Sequence, residues 1–403
     1  MSDVVTTTGT LTQLMKVYYD RKLLDFAEPV MVADKLADHS RDIPQKEGKT
    51  VNFTRYVPLA KITAATAEGG NPTVVEMEAF EFEKTTAKYS NTIKLTDTLL
   101  LTAYDDVTEG AVMLCGENMG ESINHQYRKA MAEGFYPMRV DNSTTYAKTC
   151  VCDAGSSATG VVAADELGAS GNDAWVGGLI TILDGQNAGF SAVVTDSVTS
   201  TGAITFSPAL KDACDTGDTF RIVVTTGLAA TNIVTGAAVE RAVAILKKNK
   251  APKYDGKFYA GIMSPFVVYD FMQDSAWVNA QHYASPEAIK NGELGKWGGV
   301  RFWEDTEAWT DLITDGSAEL DRGFGYYSAA GTINHTPIFG KHAFAGTRIS
   351  GVKDKLIIKV SGPQDTSNAT NAFSLVSWKA YFVAVVLNGL FGVNILSGAS
   401  TVA

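Results

Sequence analysis

Apolar and polar residues alternate along two limbs on either side of a glycine-containing turn in the first quarter of the chain. The outward limb alternates from Val51 to Val57 and the return limb from Val75 to Ala79, with the turn at Glu68 to Pro72 between them. A period of two predicts β-strands. Because an isolated two-stranded hairpin is marginal in water, the ribbon predicted from Thr50 to Leu95 must lie on another surface. If that surface belongs to a second copy, the protein assembles.

The return limb changes its apolar phase twice as it leaves the turn. The apolar positions move from the Val75 to Ala79 set to Phe80 and Phe82, and then to a third set from Ala87 to Leu95. Each shift of one residue transfers the apolar set to the opposite face of a strand. The pattern predicts a bulge or a passage from one sheet into another, in a limb that runs from a projecting loop into a domain body.

Apolar residues at helical spacing mark three further segments. Two are short, Leu11 to Lys22 and Ile233 to Asn249. The longest helix is predicted from Asp105 to Glu133, with an apolar stripe of Val107, Ala111, Leu114, Met119, Ile123, Tyr127 and Met131. A strand predicted from Phe258 to Met263 leads into a serine and a proline that are typical of a helix start. Strands followed by helices predict a mixed α/β body.

Residues Lys148 to Val224 differ in character, because short strand-like runs alternate there with turn-forming residues. The predicted strands are Gly178 to Leu183, Ser191 to Val194, Ala203 to Phe206 and Thr219 to Val224. Polar linkers, Asp141 to Thr145 and Thr225 to Thr231, flank the stretch. This organisation predicts a small all-β domain inserted into a host domain, and an insertion requires its two ends to lie close together.

The composition is that of an ordinary soluble globular protein. The 403 residues are 45% apolar and 20% charged, and the net charge of -11 argues against a surface devoted to neutralising phosphates. The first residues lack the basic stretch and apolar core of a secretory signal, so a cytoplasmic protein is expected. The apolar run from Tyr381 to Leu387 is too short for a membrane helix and is predicted to be a buried strand.

No arrangement of reactive side chains predicts catalysis. The sequence has no nucleotide-binding glycine motif, and His335 and His342 lack the short regular spacing of a metal site. The acidic run from Glu304 to Glu307 fits either a cation site or a solvated loop beside a strand end. We therefore expect no enzyme activity and no catalytic, cofactor-binding or metal-binding residues.

The cysteines allow two interpretations. Cys150 and Cys152 share a face if they lie on a strand, and Cys214 lies near them if its strand pairs back. One interpretation is a thiolate metal site, and the other is a set of small, partly buried residues. No histidine between His125 and His282 completes a zinc ligand set, which favours the second.

The order of parts is specific, and several segments together resemble a known family. They are Met15 to Leu24 (MKVYYDRKLL), Gly48 to Leu59 (GKTVNFTRYVPL), Leu246 to Asp274 (LKKNKAPKYDGKFYAGIMSPFVVYDFMQD), Ser275 to Arg301 (SAWVNAQHYASPEAIKNGELGKWGGVR), Ile338 to Phe344 (IFGKHAF) and Ser377 to Tyr381 (SWKAY). In these segments the chain resembles the major capsid proteins of tailed bacteriophages, which have the Hong Kong 97-like fold. Among them it resembles the coat family typified by the short-tailed enterobacterial phage N-four.

The resemblance implies an α+β, Hong Kong 97-like capsid fold with a small all-β insertion domain. Its parts are an N-terminal arm (1–49), an extended loop (50–84), a peripheral domain with a spine helix (85–147), an inserted all-β domain (148–226), an axial domain (227–345) and C-terminal strands that complete the peripheral domain (346–403). The insertion does not match the core family pattern and is expected at a surface.

The implied function is mechanical. Hexamers and pentamers of the chain would form an icosahedral shell that encloses double-stranded DNA without sequence-specific binding and without a membrane. The implied partners are other copies of the chain, a scaffolding protein, a portal protein and a decoration protein. The implied location is the virion capsid, assembled in the host bacterial cytoplasm. Arg55, Tyr56 and Glu68 are candidate contacts with a neighbouring subunit, with solvated strand positions as the alternative.

Two other classes of protein remain as alternatives. A nanocompartment shell of the encapsulin type has the same fold, but the match from Leu246 to Arg301 favours the viral coat. A secreted adhesin is suggested by the β-rich, glycine-rich middle of the chain, and the lack of a secretory signal counts against it.

Overall fold

The structure is a computed structural model. It describes residues 31–39, 42–56, 59, 62–66, 68–71, 74–77, 79–104, 106–168, 173–198, 200–210, 212–226, 228–274, 295–305, 310–312, 332–350, 355–359 and 372–400. The helix predicted from Leu11 to Lys22 lies outside these residues. Among the described helices, none has the length and apolar content needed to cross a membrane.

The described elements are numbered in chain order. The helices are α1 (Val32–Leu36), α2 (Asp97–Thr102), α3 (Val107–Gly134), α4 (Ala164–Leu167), α5 (Gly236–Lys248) and α6 (Pro265–Gln273). The strands are β1 (Thr50–Tyr56), β2 (Ala79–Thr85), β3 (Ala87–Thr96), β4 (Tyr136–Arg139), β5 (Ala147–Val151), β6 (Gly160–Val162), β7 (Leu179–Ile182), β8 (Ser191–Val198), β9 (Ala203–Ser207), β10 (Thr219–Val223), β11 (Tyr259–Met263), β12 (Lys296–Trp297), β13 (Val300–Glu304), β14 (Thr310–Leu312), β15 (Thr332–Phe339), β16 (Phe344–Arg348), β17 (Lys355–Lys359), β18 (Phe373–Val386) and β19 (Gly392–Ser397).

The long helix α3 packs on a four-stranded sheet. The central strand β18 pairs with β3 along one edge and with β16 and β17 along the other. The side chain of Asp106 caps α3 by accepting hydrogen bonds from the backbone N–H groups of Thr108 and Glu109, at 3.0 and 3.2 Å. Trp378 and Phe382 of β18 lie in the core with α3. The helix predicted from the apolar stripe is confirmed.

One member of the predicted stripe is wrong. Leu114 is exposed, whereas Ala111, Cys115, Met119 and Ile123 are buried. The buried face advances in steps of four residues, so Leu114 lies about 100° around the helix from Cys115 and points away from the sheet.

A seven-stranded sheet forms the second layer of the body. Its strands follow the order β12-β13-β11-β15-β19-β4, and β14 pairs with β15. Helices α5 and α6 share a core with this sheet through Val239, Leu246 and Phe271. The predicted start of α6 is confirmed, because the Ser264 hydroxyl accepts from the N–H of Val267 at 3.4 Å and Pro265 occupies the first turn.

The C-terminal strands are divided between the two sheets. β16, β17 and β18 belong to the four-stranded sheet. β19 instead lies between β15 and β4 of the seven-stranded sheet, where it pairs parallel to β4. The last strand therefore ties the two layers together.

Residues 147–223 form a separate six-stranded antiparallel sheet, which we call the inserted sheet. Its strand order in space is β5-β10-β7-β8-β9-β6. The two strands that come first and last in the chain, β5 and β10, pair with each other, with Ala147 opposite Val223. The ends of the segment therefore meet, as an insertion requires. The sheet has its own core, which includes Ile180, Phe206 and Phe220. The single turn of α4 is the one departure, within the described residues, from the all-β prediction.

The buried Arg139 of β4 fastens the root of the inserted sheet. Its Nη1 donates to the carbonyl oxygens of Val224 and Thr226 at 2.5 and 2.8 Å, and its other nitrogens donate to the carboxylate of Asp141. The side chain thus joins the two polar linkers that flank the insertion.

Strands β1 and β2 form a two-stranded ribbon. Their register runs from Thr50 opposite Thr85 to Tyr56 opposite Ala79. At the buried junction the backbone N–H of Thr86 donates to the carbonyl of Lys49 at 2.8 Å, and the chain then enters β3 in the four-stranded sheet. The predicted passage from one sheet into another is confirmed. Residues 74–77 are not a strand, so that part of the predicted return limb is wrong: among the described residues the pairing runs only to Tyr56 opposite Ala79.

The described part of the predicted N-terminal arm packs on its own subunit. Met31, Ala33 and Leu36 join the core beside α3. The N–H of Ala33 donates to the side-chain oxygen of Asn124 at 2.9 Å. Asp38 forms a parallel bridge with Ala345 of β16. These residues therefore help to close the core of the body.

Candidate assembly surface

The ribbon exposes a set of large apolar side chains beyond its paired strands. Ile62 is 87% exposed and Val74 is 92% exposed, and Leu59, Val75 and Met77 are also exposed. Full burial of one such side chain is worth about 1.5–3 kcal/mol. Large apolar side chains exposed in one segment are typical of interaction surfaces, so this segment is a candidate for one.

The root of the ribbon is attached to the body by a small cluster. Phe53 of β1 packs with Ala345 and Val385 of the four-stranded sheet. Phe82 of β2 stacks on Phe53, with ring centroids 5.4 Å apart. The ribbon is therefore anchored at its base and exposed towards its tip.

Arg55, one of the three predicted contacts with a neighbour, binds within its own subunit. Its Nη2 donates to the carbonyl oxygen of Ala188 in the inserted sheet. Its guanidinium carbon lies 5.1 Å from the centroid of the Phe80 ring. Burial lowers the pKa of Arg55 to about 10. The sequence analysis missed this partner, because no local pattern places residue 188 beside residue 55.

Tyr56 and Glu68, the other two predicted contacts, lie on the exposed part of the ribbon. Tyr56 is 63% exposed and lies on the opposite face of β1 from Phe53 and Arg55. Glu68 is also exposed, at the turn. Contact of these two residues with a neighbouring subunit stays a prediction.

A second exposed apolar surface lies where α2 leads into α3. It is formed by Leu101, Tyr104, Met113 and Leu114. Sequence analysis did not find it, because Leu114 has helical spacing and was assigned to the buried stripe. A signal was present in the run Leu99 to Leu101, which is too short to form a buried face of its own.

Asp305, the acidic residue that directly follows β13, is bound within the protein rather than solvated. Asp305 is buried and accepts hydrogen bonds from Nδ2 of Asn124 at 2.9 and 3.1 Å. Its Oδ2 lies 3.4 Å from Nε of Arg128. Both partners are on α3, so Asp305 ties the end of β13 in one layer to the long helix of the other.

The three cysteines of the inserted sheet lie together in its core. Cys150, Cys152 and Cys214 are buried free thiols, and Nδ2 of Asn187 lies 3.8 Å from Sγ of Cys214. Burial raises the pKa of Cys150 to about 12, which disfavours the thiolate that a metal would bind. Within the described ranges no group of three or more histidine, cysteine or acidic residues is placed to hold a metal ion.

The histidines singled out in the sequence face different partners. Nδ1 of His335 lies 2.7 Å from Nδ2 of Asn394 in the core, and Nδ1 of His342 lies 2.5 Å from Oδ2 of Asp38 at the surface. They are not brought together.

Comparisons with known proteins agree with this architecture at the level of the fold. No family model and no curated protein matches the sequence. The capsid structure of cyanophage P-SCSP1u matches over 91% of this chain and 87% of that chain, with a TM-score of 0.50 and 11% identity. The capsid asymmetric unit of cyanophage Pam1 matches over 88% and 86%, with a TM-score of 0.52 and 15% identity.

These likenesses define the class of fold. The chain has the Hong Kong 97-like α+β fold of tailed-phage capsid proteins, with both helices and sheets. The narrower resemblance to the coat family typified by phage N-four stays a prediction.

Proposed function

We propose that this chain is the major capsid protein of a tailed bacteriophage, which assembles into hexamers and pentamers of an icosahedral shell around double-stranded DNA. One observation carries the proposal: a chain with a capsid fold over most of its length projects a ribbon whose exposed apolar residues include Ile62 and Val74. Covering such a surface with a neighbouring subunit removes apolar area from water and so lowers the free energy. Closed symmetric assembly repeats that contact around the shell.

The parts of the fold take different roles in this proposal. The extended loop (50–84) overlaps an adjacent subunit, with Tyr56 and Glu68 among its contacts. The peripheral domain contains the long helix, and the axial domain (227–345) meets its copies around the capsomer axis. The inserted sheet is displayed at a surface. The role is structural and assigns no catalytic residue.

The proposed partners follow from the same role. They are further copies of the chain, a scaffolding protein during assembly, a portal protein at one vertex and a decoration protein on the outside. The net charge of -11 suits a shell that encloses DNA without binding it tightly, because negatively charged subunits repel the phosphate groups of DNA. The proposed place of assembly is the host bacterial cytoplasm, and the proposed final location is the virion.

Electron microscopy of the expressed protein tests the proposal. The chain, alone and co-expressed with its scaffolding protein, is expected to form closed hollow particles of uniform diameter. Monomers alone in gel filtration, under both conditions, would contradict it. The contents of the particles separate the alternatives, since a nanocompartment encloses a protein cargo and a secreted adhesin forms no shell.

A further inference from the structure

A contact between the ribbon and the inserted sheet is centred on the turn at residues 187–189. The backbone N–H of Gly189 donates to the carbonyl of Ile182 at 2.8 Å, which closes the turn between β7 and β8. The turn presents the carbonyl oxygen of Ala188 outwards, and the Arg55 guanidinium donates to it. The Phe80 ring lies against the same guanidinium. Arg55 therefore joins both strands of the ribbon to the inserted sheet.

The turn is held on its other side by the segment that links β18 to β19. The N–H of Gly389, which follows β18, donates to the carbonyl of Gly189 at 2.9 Å. Gly189 has a φ of +81°, which favours glycine. A Cβ at Gly189 would lie 2.7 Å from Nη1 of Arg55 and would overlap the side chain of Asn388. The turn is thus fixed to the body and leaves no room for a side chain between itself and Arg55.

An open cleft separates other parts of the ribbon from the body. It has a volume of about 570 Å³ and is lined by Asn52 and Lys84 of the ribbon, Lys129 and Glu133 of α3, and Val193 of the inserted sheet. Phe53 and Phe82 hold the strand pair to the four-stranded sheet near its root, so the angle of the pair beyond them depends on contacts closer to its far end. The contact at Arg55 lies near the far end of the paired strands, where it restrains that angle most strongly.

We propose that Arg55 is a positioning residue, which latches the ribbon to the turn at residues 187–189 and thereby lets the inserted sheet set the direction in which the ribbon reaches its neighbour. The consequence for assembly rests on the proposed capsid function. Arginine suits the role because its planar guanidinium can donate to a carbonyl and stack on an aromatic ring at the same time, which a lysine ammonium cannot. With a pKa of about 10, Arg55 remains charged at neutral pH.

A distance measurement on the unassembled subunit tests the latch directly. Spin labels are attached to cysteines introduced by Ala79→Cys at the far end of β2 and Ala154→Cys on the inserted sheet, both exposed, while the four native cysteines are buried. Pulsed electron paramagnetic resonance is expected to give one narrow distance distribution. Arg55→Ala is expected to broaden it at least twofold. The matched control Thr54→Ala, on the exposed face of the same strand, keeps it narrow.

Two further measurements keep the test decisive. If Arg55→Ala fails to fold by circular dichroism, Arg55→Met, which keeps an unbranched side chain but cannot donate to the Ala188 carbonyl, takes its place with the same expectation. An unchanged narrow distribution in the folded variant overturns the latch. In assembly, the unlatched variant is expected to give open sheets or shells of mixed diameter, and uniform closed shells overturn the link to assembly. If the unsubstituted chain forms no shell, the proposed function fails, while the distance measurement still decides the latch.

Discussion

The ribbon and the inserted sheet are both β-structures that extend from the body of the subunit. They differ in how much of their apolar surface they bury within themselves. The inserted sheet buries Phe206, Phe220 and Cys150 in a core of its own. The ribbon contributes Phe53 to a cluster at its root, and its apolar residues from Leu59 to Met77 are exposed where they are described. Six strands can enclose a core, whereas two strands cannot.

The comparison shows how burial separates self-sufficient segments from dependent ones. A segment that closes its own core can be inserted in a loop without a cost to its host, because its stability is local. A segment that exposes apolar side chains and unpaired strand edges gains its stability from whatever covers it. Arg55 links the two kinds of segment, so the self-sufficient one can steer the dependent one.

Removal of the ribbon tip is expected to have the largest effect. Deletion of Ala60 to Thr73 should abolish particles and leave a folded subunit, because the tip contributes nothing to the described cores. Electron microscopy and gel filtration report assembly, and the thermal unfolding curve reports the fold. Normal shells from the deletion variant would show that the ribbon does not depend on a neighbour.

A cavity in the inserted sheet is expected to have the next largest effect. Phe220→Ala should destabilise the inserted sheet by about 3–5 kcal/mol, because the side chain is fully buried. Urea unfolding monitored by circular dichroism measures the change. The control Val151→Ala, on an exposed position of the same sheet, should alter stability by less than about 0.5 kcal/mol. Equal effects of the two substitutions would mean that the sheet has no core of its own.

Polar substitution on the ribbon is expected to separate assembly from stability. Val74→Ser should leave the free energy of unfolding of the subunit within about 0.5 kcal/mol. It should raise the concentration needed for assembly on the order of tenfold, since the lost burial is worth about 1.5 kcal/mol. Light scattering over a concentration series measures this threshold. A threshold that does not move would argue that Val74 stays exposed in the shell.

The reactivity of thiols is expected to show the smallest effect, a local difference between the exposed ribbon and the buried cores. A cysteine introduced by Ala65→Cys on the ribbon should react at once with a thiol reagent at pH 8, whereas the four native cysteines should react only after unfolding in urea. Burial raises the pKa of Cys150 from 9.0 to about 12, so this thiol stays protonated at pH 8. Rapid reaction of Cys150, Cys152 or Cys214 would indicate that the inserted sheet opens readily.

The same thiol predicts a pH dependence of stability. Because the pKa of Cys150 is higher in the folded protein than in the unfolded chain, its contribution to stability is complete below pH 9 and is lost as the pH rises from 9 to about 12. The urea midpoint of the inserted sheet should therefore fall as the pH rises from 9 towards 12, and Cys150→Ala should reduce that fall. A midpoint that rises with pH would contradict the burial of the thiol.

Local patterns predicted a large part of this fold. The alternation around Phe53, the phase change before Ala87, the helical spacing after Asp106 and the serine–proline pair at 264 and 265 each correspond to an observed element. Their success has a common cause, because strand alternation, helical periodicity and helix capping depend on residues a few positions apart. The order of these elements along the chain contributed to the resemblance to phage capsid proteins.

Contacts between distant residues were beyond such patterns. The sequence of the acidic run did not predict that Asp305 is buried against α3. Nor did the C-terminal sequence predict that β19 lies in the seven-stranded sheet, while β16, β17 and β18 lie in the four-stranded sheet. Leu114 was misassigned because only the packing partner decides which of two adjacent faces of a helix is buried.

By itself, the sequence determined the strands of the ribbon, the long helix, the inserted all-β segment and the lack of an evident catalytic motif, since short-range spacing and side-chain chemistry specify these. Only the tertiary structure decided that Arg55 meets Ala188, because 133 residues separate them and the contact exists only once two sheets are in place. The ribbon that alternation predicted thus has a surface at its root, whereas its described residues beyond the paired strands are exposed.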